Sequence, residues 1–273
     1  MSISGRSSST YINYCRNLAN VALYYGVSPQ ELDSEQIEEY LHYLKKSKLT
    51  PSESTFKHTV YGLRYMYKVL GMKDMHISLP SIAEEKKLPV VMSREEVKTM
   101  LKTPNLLKHR LILGMLYGCG LRCSELCNIE LRDVDFNRKM VHIRQGKGRK
   151  DRYVPLSEHL VRGLQTFLSV EPSVRWLFNP AKTDQMDLPK AYSPRGVQFV
   201  VYSTRKKAQM QKDITTHTFR HSYATHLLED GLDIMTIKDL LGHSRIETTL
   251  VYLHVAQSGR VKPFSPLDNL YKD

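Results

Sequence analysis

A charged stretch that ends in a proline divides this chain and limits what it can fold into. Residues 84–87 are two glutamates followed by two lysines, and Pro89 comes shortly after them. Charged residues that lead into a proline are typical of an extended linker. With 273 residues, the chain is also long enough for two domains. We therefore predict two domains, residues 1–83 and 94–273, joined by a linker at 84–93.

The first segment has the hydrophobic spacing of a small all-helical domain. Apolar residues recur every three or four positions over residues 7–25, 35–46 and 51–70, which predicts three amphipathic helices. Ser34 is expected to cap the second helix, and Gly71 is a natural end for the third.

The second segment mixes helices with a short sheet. Ser93, with Glu96 three residues later, has the pattern of a capping box at the start of a helix. Residues 106–119 are strongly apolar and predict a buried helix. Residues 140–145 and 152–156 alternate between apolar and polar, which predicts a hairpin closed by a basic, glycine-rich turn. Further helices are expected over residues 216–228 and 234–241, and in the segment that carries Tyr252. The predicted fold class is α+β, mostly helical, with a short antiparallel sheet in the second domain.

The charge balance favours an acidic partner. Lysine and arginine total 40 against 28 acidic residues, for a net charge of +12, which most often indicates nucleic acid. No apolar run approaches the roughly 18 residues needed to cross a bilayer. The first ten residues are polar and rich in serine, without the apolar segment of a secretory signal. We therefore expect a cytoplasmic protein with no membrane partner.

The four cysteines do not have the spacing of a metal site. Cys119, Cys123 and Cys127 are four residues apart, so on one helix they would line one side and climb too far to converge on an ion. The expectation is that they pack as small apolar residues, with Cys15 apart from them. Nothing suggests a disulfide framework, in keeping with a reducing compartment.

Two short segments carry groups that could handle a phosphodiester. The chain has no Walker-type loop and no tight acidic cluster for two magnesium ions, so such chemistry would use its own cations and donors. Arg122 and Glu125 are three residues apart and could pair on one helix face. His217 and Arg220 share a face, where an arginine can fork onto two phosphate oxygens and an imidazole can move a proton. Taken singly, each segment is more often a solvated helix surface.

Two further segments follow in the C-terminal third. His243 stands at a glycine turn in Leu-Gly-His-Ser, and Tyr252 lies in Thr-Leu-Val-Tyr-Leu-His. Since the chain has 16 tyrosines, a buried core position is the default interpretation of any one of them.

The order of these segments resembles the tyrosine recombinase (phage integrase) family, and most of all its compact Xer and integron-integrase branch. The matching parts are Gly-Leu-Arg-x-x-Glu-Leu, a Gly-Lys-Gly turn, His-x-x-Arg-His, Leu-Gly-His-Ser and Thr-x-x-Tyr-x-His. The similarity covers residues 93–255. Residues 1–83 resemble more loosely the SAM-like, core-binding domain with which the family clamps DNA.

The resemblance implies roles for the matched residues. Arg122 and Arg220 would hold the nonbridging oxygens of the scissile phosphate, and Tyr252 would be the nucleophile. Glu125 would support the arrangement of the site. A phenol has a pKa near 10, so two neighbouring arginines would help it attack at neutral pH.

Three proton-handling or hydrogen-bonding roles are implied as well. Lys147 would protonate the leaving 5′ oxygen, and Lys150, in the same turn, is the alternative for that role. His217 would be a proton-transfer group near the nucleophile, and His243 would hydrogen-bond the phosphate.

The resemblance also implies the partners. The substrate would be double-stranded DNA with an inverted-repeat core site, and a 3′-phosphotyrosine link would store the bond energy, so that no metal, ATP or other cofactor is needed. Strand exchange would pass through a Holliday junction in a tetramer, made of this protein alone or shared with a related recombinase. Candidates for the N-terminal DNA clamp are Arg6, Arg16, Lys57, His58 and Arg64, for which solvated helix faces are an equally good interpretation. Lys150, in the glycine-rich turn, is a further DNA-binding candidate.

Three other functions remain open at this point. A type IB topoisomerase shares the chemistry, although its N-terminal part usually differs. A DNA-binding accessory protein with a silent active site is disfavoured because all six catalytic-type residues are present. A structural basic protein would bind without site preference, and salt would remove it uniformly. The DNA sequence and the biological task, such as dimer resolution, transposition, inversion or phage integration, are not readable.

Overall fold

The chain separates into two units, residues 1–86 and 87–273. A computed structural model describes residues 8–46, 53–72, 88–144, 151–180 and 190–256. These residues are mostly helical and include one three-stranded antiparallel sheet, which confirms the predicted fold class. None of the helices in these ranges combines the length and the apolar character that a membrane crossing requires.

The first unit consists of three helices, as the spacing predicts. They are α1 (Ser8–Tyr25), α2 (Ser34–Lys46) and α3 (Glu53–Leu70), with a 3-10 turn at Pro29–Glu31. Their apolar stripes meet in one buried cluster, which includes Val21, Ile37, Leu41, Phe56, Val60 and Leu63. The prediction of Ser34 as the cap of α2 is wrong by one residue. The Asp33 carboxylate accepts from the Gln36 backbone N–H at 2.8 Å, and the Gln36 side chain accepts from the Asp33 N–H at 3.0 Å.

The second unit carries the sheet and the remaining helices. In chain order its elements are α4 (Arg94–Lys102), α5 (Leu107–Gly118), α6 (Cys123–Cys127), β1 (Val134–Asp135), β2 (Met140–Ile143), β3 (Arg152–Pro155), α7 (Glu158–Val170), α8 (Pro194–Lys207), α9 (Thr216–Glu229), α10 (Ile234–Leu241) and α11 (Glu247–Leu250), followed by a 3-10 turn at Val251–His254. The sheet order is β1-β2-β3, and both pairs are antiparallel. The predicted hairpin is confirmed by the pairing of Ile143 with Arg152. Ser93 caps α4 in the predicted capping box.

Helix α5 forms the centre of the second unit. Ile112, Leu113, Met115 and Leu116 are each fully buried, and α5 packs against α4, α6, α7, α8 and α9. Burying one such side chain contributes roughly 1.5–3 kcal/mol, so this helix is a rigid support for the segment that follows it.

The cysteines do not share one helix, contrary to the expectation from their spacing. Cys119 is the C-cap of α5, whereas Cys123 and Cys127 are the first and last residues of α6. Gly120, with φ +58°, turns the chain between the two helices. Among the described residues, no group of three or more histidine, cysteine or acidic side chains could hold a metal ion.

Candidate active site

The turn after α5 needs a glycine, and it places the first two candidate residues. A Cβ atom at Gly120 would lie 2.4 Å from Cδ1 of the Tyr223 ring, and φ is positive there. The turn makes Arg122 the N-cap of α6, so that Glu125 lies inside the first turn of that helix. The Gly120 carbonyl itself accepts a hydrogen bond from Nη1 of Arg220, at 2.7 Å. The turn therefore joins α6 to α9.

Glu125 is a buried carboxylate surrounded by arginines. Its Oε1 lies 2.7 Å from Nη1 of Arg122, and its Oε2 accepts from the Arg122 backbone N–H at 2.9 Å. Arg152 donates to both oxygens, at 2.9 and 2.8 Å, and Nη1 of Arg220 lies 3.8 Å away. Burial alone would raise the pKa of Glu125, but the Arg152 and Arg122 contacts lower it to about 2. The carboxylate is therefore ionised, and three guanidinium groups against one carboxylate leave a local excess of positive charge.

The C-terminal end of α10 holds the same three arginines. Arg152 donates to the carbonyl of Leu240 at 2.7 Å, and Arg220 donates to the carbonyl of Leu241. Nη2 of Arg122 lies 3.5 Å from the carbonyl of Gly242. The last carbonyls of a helix lack partners within it and carry its negative pole, so cations stabilise this end. Gly242 adopts φ +63° and ends the helix.

His243 follows Gly242 in the chain, so the C-terminal end of α10 positions both the three arginines and this imidazole. Its Nδ1 lies 2.9 Å from Oγ1 of the buried Thr249. Burial and the positive charges of Arg220 and Arg122 lower the pKa of His243 to about 3. The imidazole is therefore neutral at physiological pH, and one nitrogen carries a proton that can be donated to an anion.

Tyr252 lies in the 3-10 turn after α11 and is 1% exposed. Its hydroxyl is 3.1 Å from Nδ1 of His221, on α9. Burial raises the pKa of Tyr252, and the charges of Arg220 and Arg122 offset part of that effect. Burial also lowers the pKa of His221 to about 4, so that its imidazole is neutral and can accept a hydrogen bond from the phenol.

The structure brings together Arg122, Glu125, Arg220, His221, His243 and Tyr252, with Arg152 and Thr249 hydrogen-bonded to members of this group. His217 is one turn before His221 on α9, and the two rings are 6.4 Å apart. Its pKa is lowered by burial and by Arg220 and Arg122, which places it beside the same positive charge. The imidazole that contacts the Tyr252 hydroxyl, however, is that of His221 and not the predicted His217.

The other predicted residues lie elsewhere. Lys147, Lys150 and Arg6 are outside the described residues. Arg16 and Arg64 are exposed on the first unit, where Lys57 and His58 are half-buried. The His58 ring contacts Tyr14 edge to face, with centroids 6.1 Å apart.

Three residues of the site were given no role by the sequence pattern. His221 stands in the matched motif, and its i, i+4 spacing from His217 was the available signal. Arg152 begins a predicted strand beside the turn, and Thr249 is part of the Thr-x-x-Tyr-x-His segment without a role of its own. Their burial depends on contacts with α10 and with His243, which local spacing does not reveal.

Comparison with known proteins places both units in one family. Residues 90–258 match the phage integrase family, and residues 1–77 match the phage integrase N-terminal SAM-like domain. A tyrosine recombinase of Thermosipho africanus is 31% identical over 92% of this chain and 90% of its own length. Tyrosine recombinase XerD of Staphylococcus aureus is 34% identical over 93% of this chain and 90% of its own.

Solved structures show the same fold. An XerA recombinase crystal structure, 27% identical, covers 93% of this chain and 89% of its own with a TM-score of 0.57. The Tn1549 transposon integrase in complex with transposon right end DNA, 17% identical, covers 91% and 90% with a TM-score of 0.72. XerH bound to a palindromic difH substrate, in a post-cleavage complex, is 19% identical and covers 90% and 76% with a TM-score of 0.69.

Proposed function

Because the chain belongs to the phage integrase family, the tyrosine recombinases, we propose that it cuts and rejoins DNA at specific sites through a covalent bond to Tyr252. One observation carries this proposal. The Tyr252 hydroxyl is paired with the neutral His221, in the field of the same arginines that surround Glu125. Tyr223, another buried tyrosine near these arginines, has no such hydrogen-bond partner for its hydroxyl among the described residues.

The first step is an exchange of one ester bond for another. The Tyr252 oxygen attacks phosphorus, its proton passes to His221, and the bond from phosphorus to the 5′ oxygen breaks. Arg122 and Arg220 neutralise the charge that builds on the nonbridging oxygens, and His243 donates a further hydrogen bond. Lys147 supplies the proton that the 5′ oxygen takes as it leaves.

The second step is the first in reverse. A free 5′ hydroxyl gives its proton to Lys147 and attacks the 3′-phosphotyrosine, a DNA phosphodiester forms, and the Tyr252 oxygen leaves and regains its proton from His221. The number of phosphoester bonds is unchanged throughout, so the cycle consumes no ATP. When the 5′ hydroxyl comes from a partner duplex, the strands are exchanged, and two rounds through a Holliday junction in a tetramer complete recombination. Such an enzyme would work on the nucleoid.

The outward face of α8 supports DNA as the partner. Arg195, Phe199, Tyr202 and Lys206 are all exposed and follow one another at helical spacing. The Lys206 ammonium lies 5.2 Å from the centroid of the Tyr202 ring. Cations interleaved with aromatic side chains suit a nucleic acid, which offers phosphates and apolar base and sugar surfaces.

A covalent trapping assay tests the proposal. Wild type, Tyr252→Phe and Tyr223→Phe would each be incubated with nicked fragments of the DNA around the gene, and protein–DNA adducts would be separated on denaturing gels. Tyr223 is the matched control, since it is also buried and its hydroxyl has no partner among the described residues. We expect an adduct with wild type and Tyr223→Phe, and none with Tyr252→Phe, which should still bind the fragments.

Three results would overturn all or part of the proposal. An adduct with Tyr252→Phe would move the nucleophile to another residue. Fragments that bind wild type tightly but never become attached would make the chain a DNA-binding protein without this chemistry. If adducts form but two sites never yield a junction, the topoisomerase alternative would replace recombination.

A further inference from the structure

Arg152 is a buried arginine whose hydrogen-bonding groups are used within the protein. Its side chain is 8% exposed. Nε donates to the carbonyl of Leu240 at 2.7 Å, while Nη1 and Nη2 donate to the two oxygens of Glu125 at 2.9 and 2.8 Å. A guanidinium whose fork and Nε are both engaged in this way has no edge left for a second fork onto DNA.

We propose that Arg152 is a positioning residue: by holding both oxygens of Glu125, it prevents that carboxylate from capturing Arg220. The proposal rests on the proposed function, in which Arg220 must be available to the scissile phosphate. It assigns Arg152 no contact with the substrate.

The distances around Glu125 support this competition. Nη1 of Arg220 lies 3.8 Å from Oε2 of Glu125, which is beyond hydrogen-bonding distance although the charges are opposite and both side chains are buried. Arg220 instead donates to the carbonyls of Gly120 and Leu241. A buried carboxylate that lost its Arg152 fork would be left partly unsatisfied, and Arg220 is a charged donor that already lies 3.8 Å from it. Closing that contact requires a shift of about 1 Å, to an ordinary charged hydrogen-bond length.

The turn at Gly242 is built around the same side chain. A Cβ atom there would lie 3.2 Å from both Cδ and Nη1 of Arg152. The absence of a side chain at Gly242 therefore leaves the space through which Arg152 reaches Glu125. The contact joins the beginning of β3 to the end of α10 and to α6.

The test compares Arg152→Met with a matched control, Arg144→Met. Arg144 follows Ile143, the β2 residue paired with Arg152, and forms its own ion pairs with Asp133 at 2.7 Å and Glu130 at 3.2 Å. Single-turnover cleavage would be measured at saturating DNA, with the nicked fragment that wild type attaches to, below the melting temperature of every variant. A shift of about 1 Å in a catalytic group lowers a rate about 100-fold, so Arg152→Met should lose about that factor. Arg144→Met should remain close to wild type.

A double variant separates positioning from simple loss of structure. Adding Glu125→Gln to Arg152→Met removes the charge that attracts Arg220, so we expect the rate to recover about tenfold over Arg152→Met alone, within the range of coupling between contacting residues. If Arg152 were merely structural, a second buried substitution would slow cleavage further. That outcome, or equal losses in Arg152→Met and Arg144→Met, would overturn the inference.

A crystal structure of Arg152→Met decides the question without any DNA reaction. The expected change is a contraction of the distance from Arg220 to Glu125 from 3.8 Å to hydrogen-bonding length. A distance that stays the same or grows would overturn the inference, even if wild type attaches to DNA. Conversely, if this distance contracts but wild type never attaches to DNA, the positioning role of Arg152 would stand and the proposed function would be refuted.

Discussion

Replacing Gly120 by alanine should destabilise the second unit in two separable ways. Alanine at φ +58° is strained by about 1–2 kcal/mol, whatever surrounds it. Its Cβ would also lie 2.4 and 2.6 Å from Cδ1 and Cε1 of the buried Tyr223, so the ring or the turn must move. Overpacking of this kind adds about 1–3 kcal/mol. The sum is a loss of about 2–5 kcal/mol in the free energy of unfolding.

Gly231 offers a matched control in the same unit. It has φ +91°, yet a Cβ there would meet nothing within 4 Å, so Gly231→Ala should carry the backbone strain alone. Thermal unfolding would be followed by the fluorescence of Trp176, the one tryptophan of the chain, which lies in the second unit. For a unit of this size each kcal/mol lowers Tm by about 2–4 °C, so Gly120→Ala should melt about 2–12 °C below Gly231→Ala.

The reasoning has a clear refutation. If Gly120→Ala and Gly231→Ala have the same Tm, the Tyr223 ring moves aside at no measurable cost in stability. Close packing against Tyr223 would then not require a glycine at position 120. A second check is Gly120→Ala in a Tyr223→Ala background, where the clash is gone and only the strain of about 1–2 kcal/mol should remain. Because the Gly120 carbonyl binds Arg220, the single variant should also cleave DNA more slowly.

Two other measurements test the protonation of the site histidines and the burial of Cys119. In the folded protein the pKa values of His221 and His243 are lowered to about 4 and about 3. Below the ordinary histidine pKa near 6.5, the unfolded chain therefore binds more protons than the folded protein. The free energy of unfolding should fall as pH drops from about 6.5 towards 4. Each histidine contributes at most about 1.4 kcal/mol per pH unit, and a melting temperature that is flat over this range, or just as steep after His221→Gln, would contradict the assignment. Burial raises the pKa of Cys119 to about 12, whereas Cys15 is exposed and Cys123 is half-buried, so a thiol reagent should label the latter two in the native protein. Labelling of Cys119 at a comparable rate, read by mass spectrometry, would show that the end of α5 opens.

Local signals in the sequence predicted the elements on which the site is built. Ser93 and Glu96 form the expected capping box, and α10 runs over Ile234–Leu241 as predicted, because its terminal glycine lies immediately after the apolar pattern. The cap of α2 was misplaced because Asp33 and Ser34 are both good capping residues, and only the hydrogen bonds to Gln36 distinguish them.

The finer details of the site could not be derived from spacing. His217 and His221 share one face of α9, so the sequence does not tell which of the two rings contacts the phenol of Tyr252. The choice depends on how the turn that carries Tyr252 packs against α9. Likewise, an arginine at the start of a strand is usually exposed. The burial of Arg152 follows from Glu125 and Leu240, which are distant in sequence.

The long-range hydrogen bonds of Arg122 and Arg220 also bear on protein synthesis. Arg122 and Arg220 each reach across 100 residues or more to a backbone carbonyl, from Arg122 to Gly242 and from Arg220 back to Gly120. A ribosome that adds about 5–20 residues per second needs about 6–24 s to make the stretch from Arg122 to Gly242. For most of that time a nascent chain has Arg122 but not Arg220, and for all of it the helix end that binds both arginines is incomplete. A partly made chain therefore lacks the assembled arginine cluster, and if the protein cuts DNA as proposed, it gains that ability only when α10 is complete.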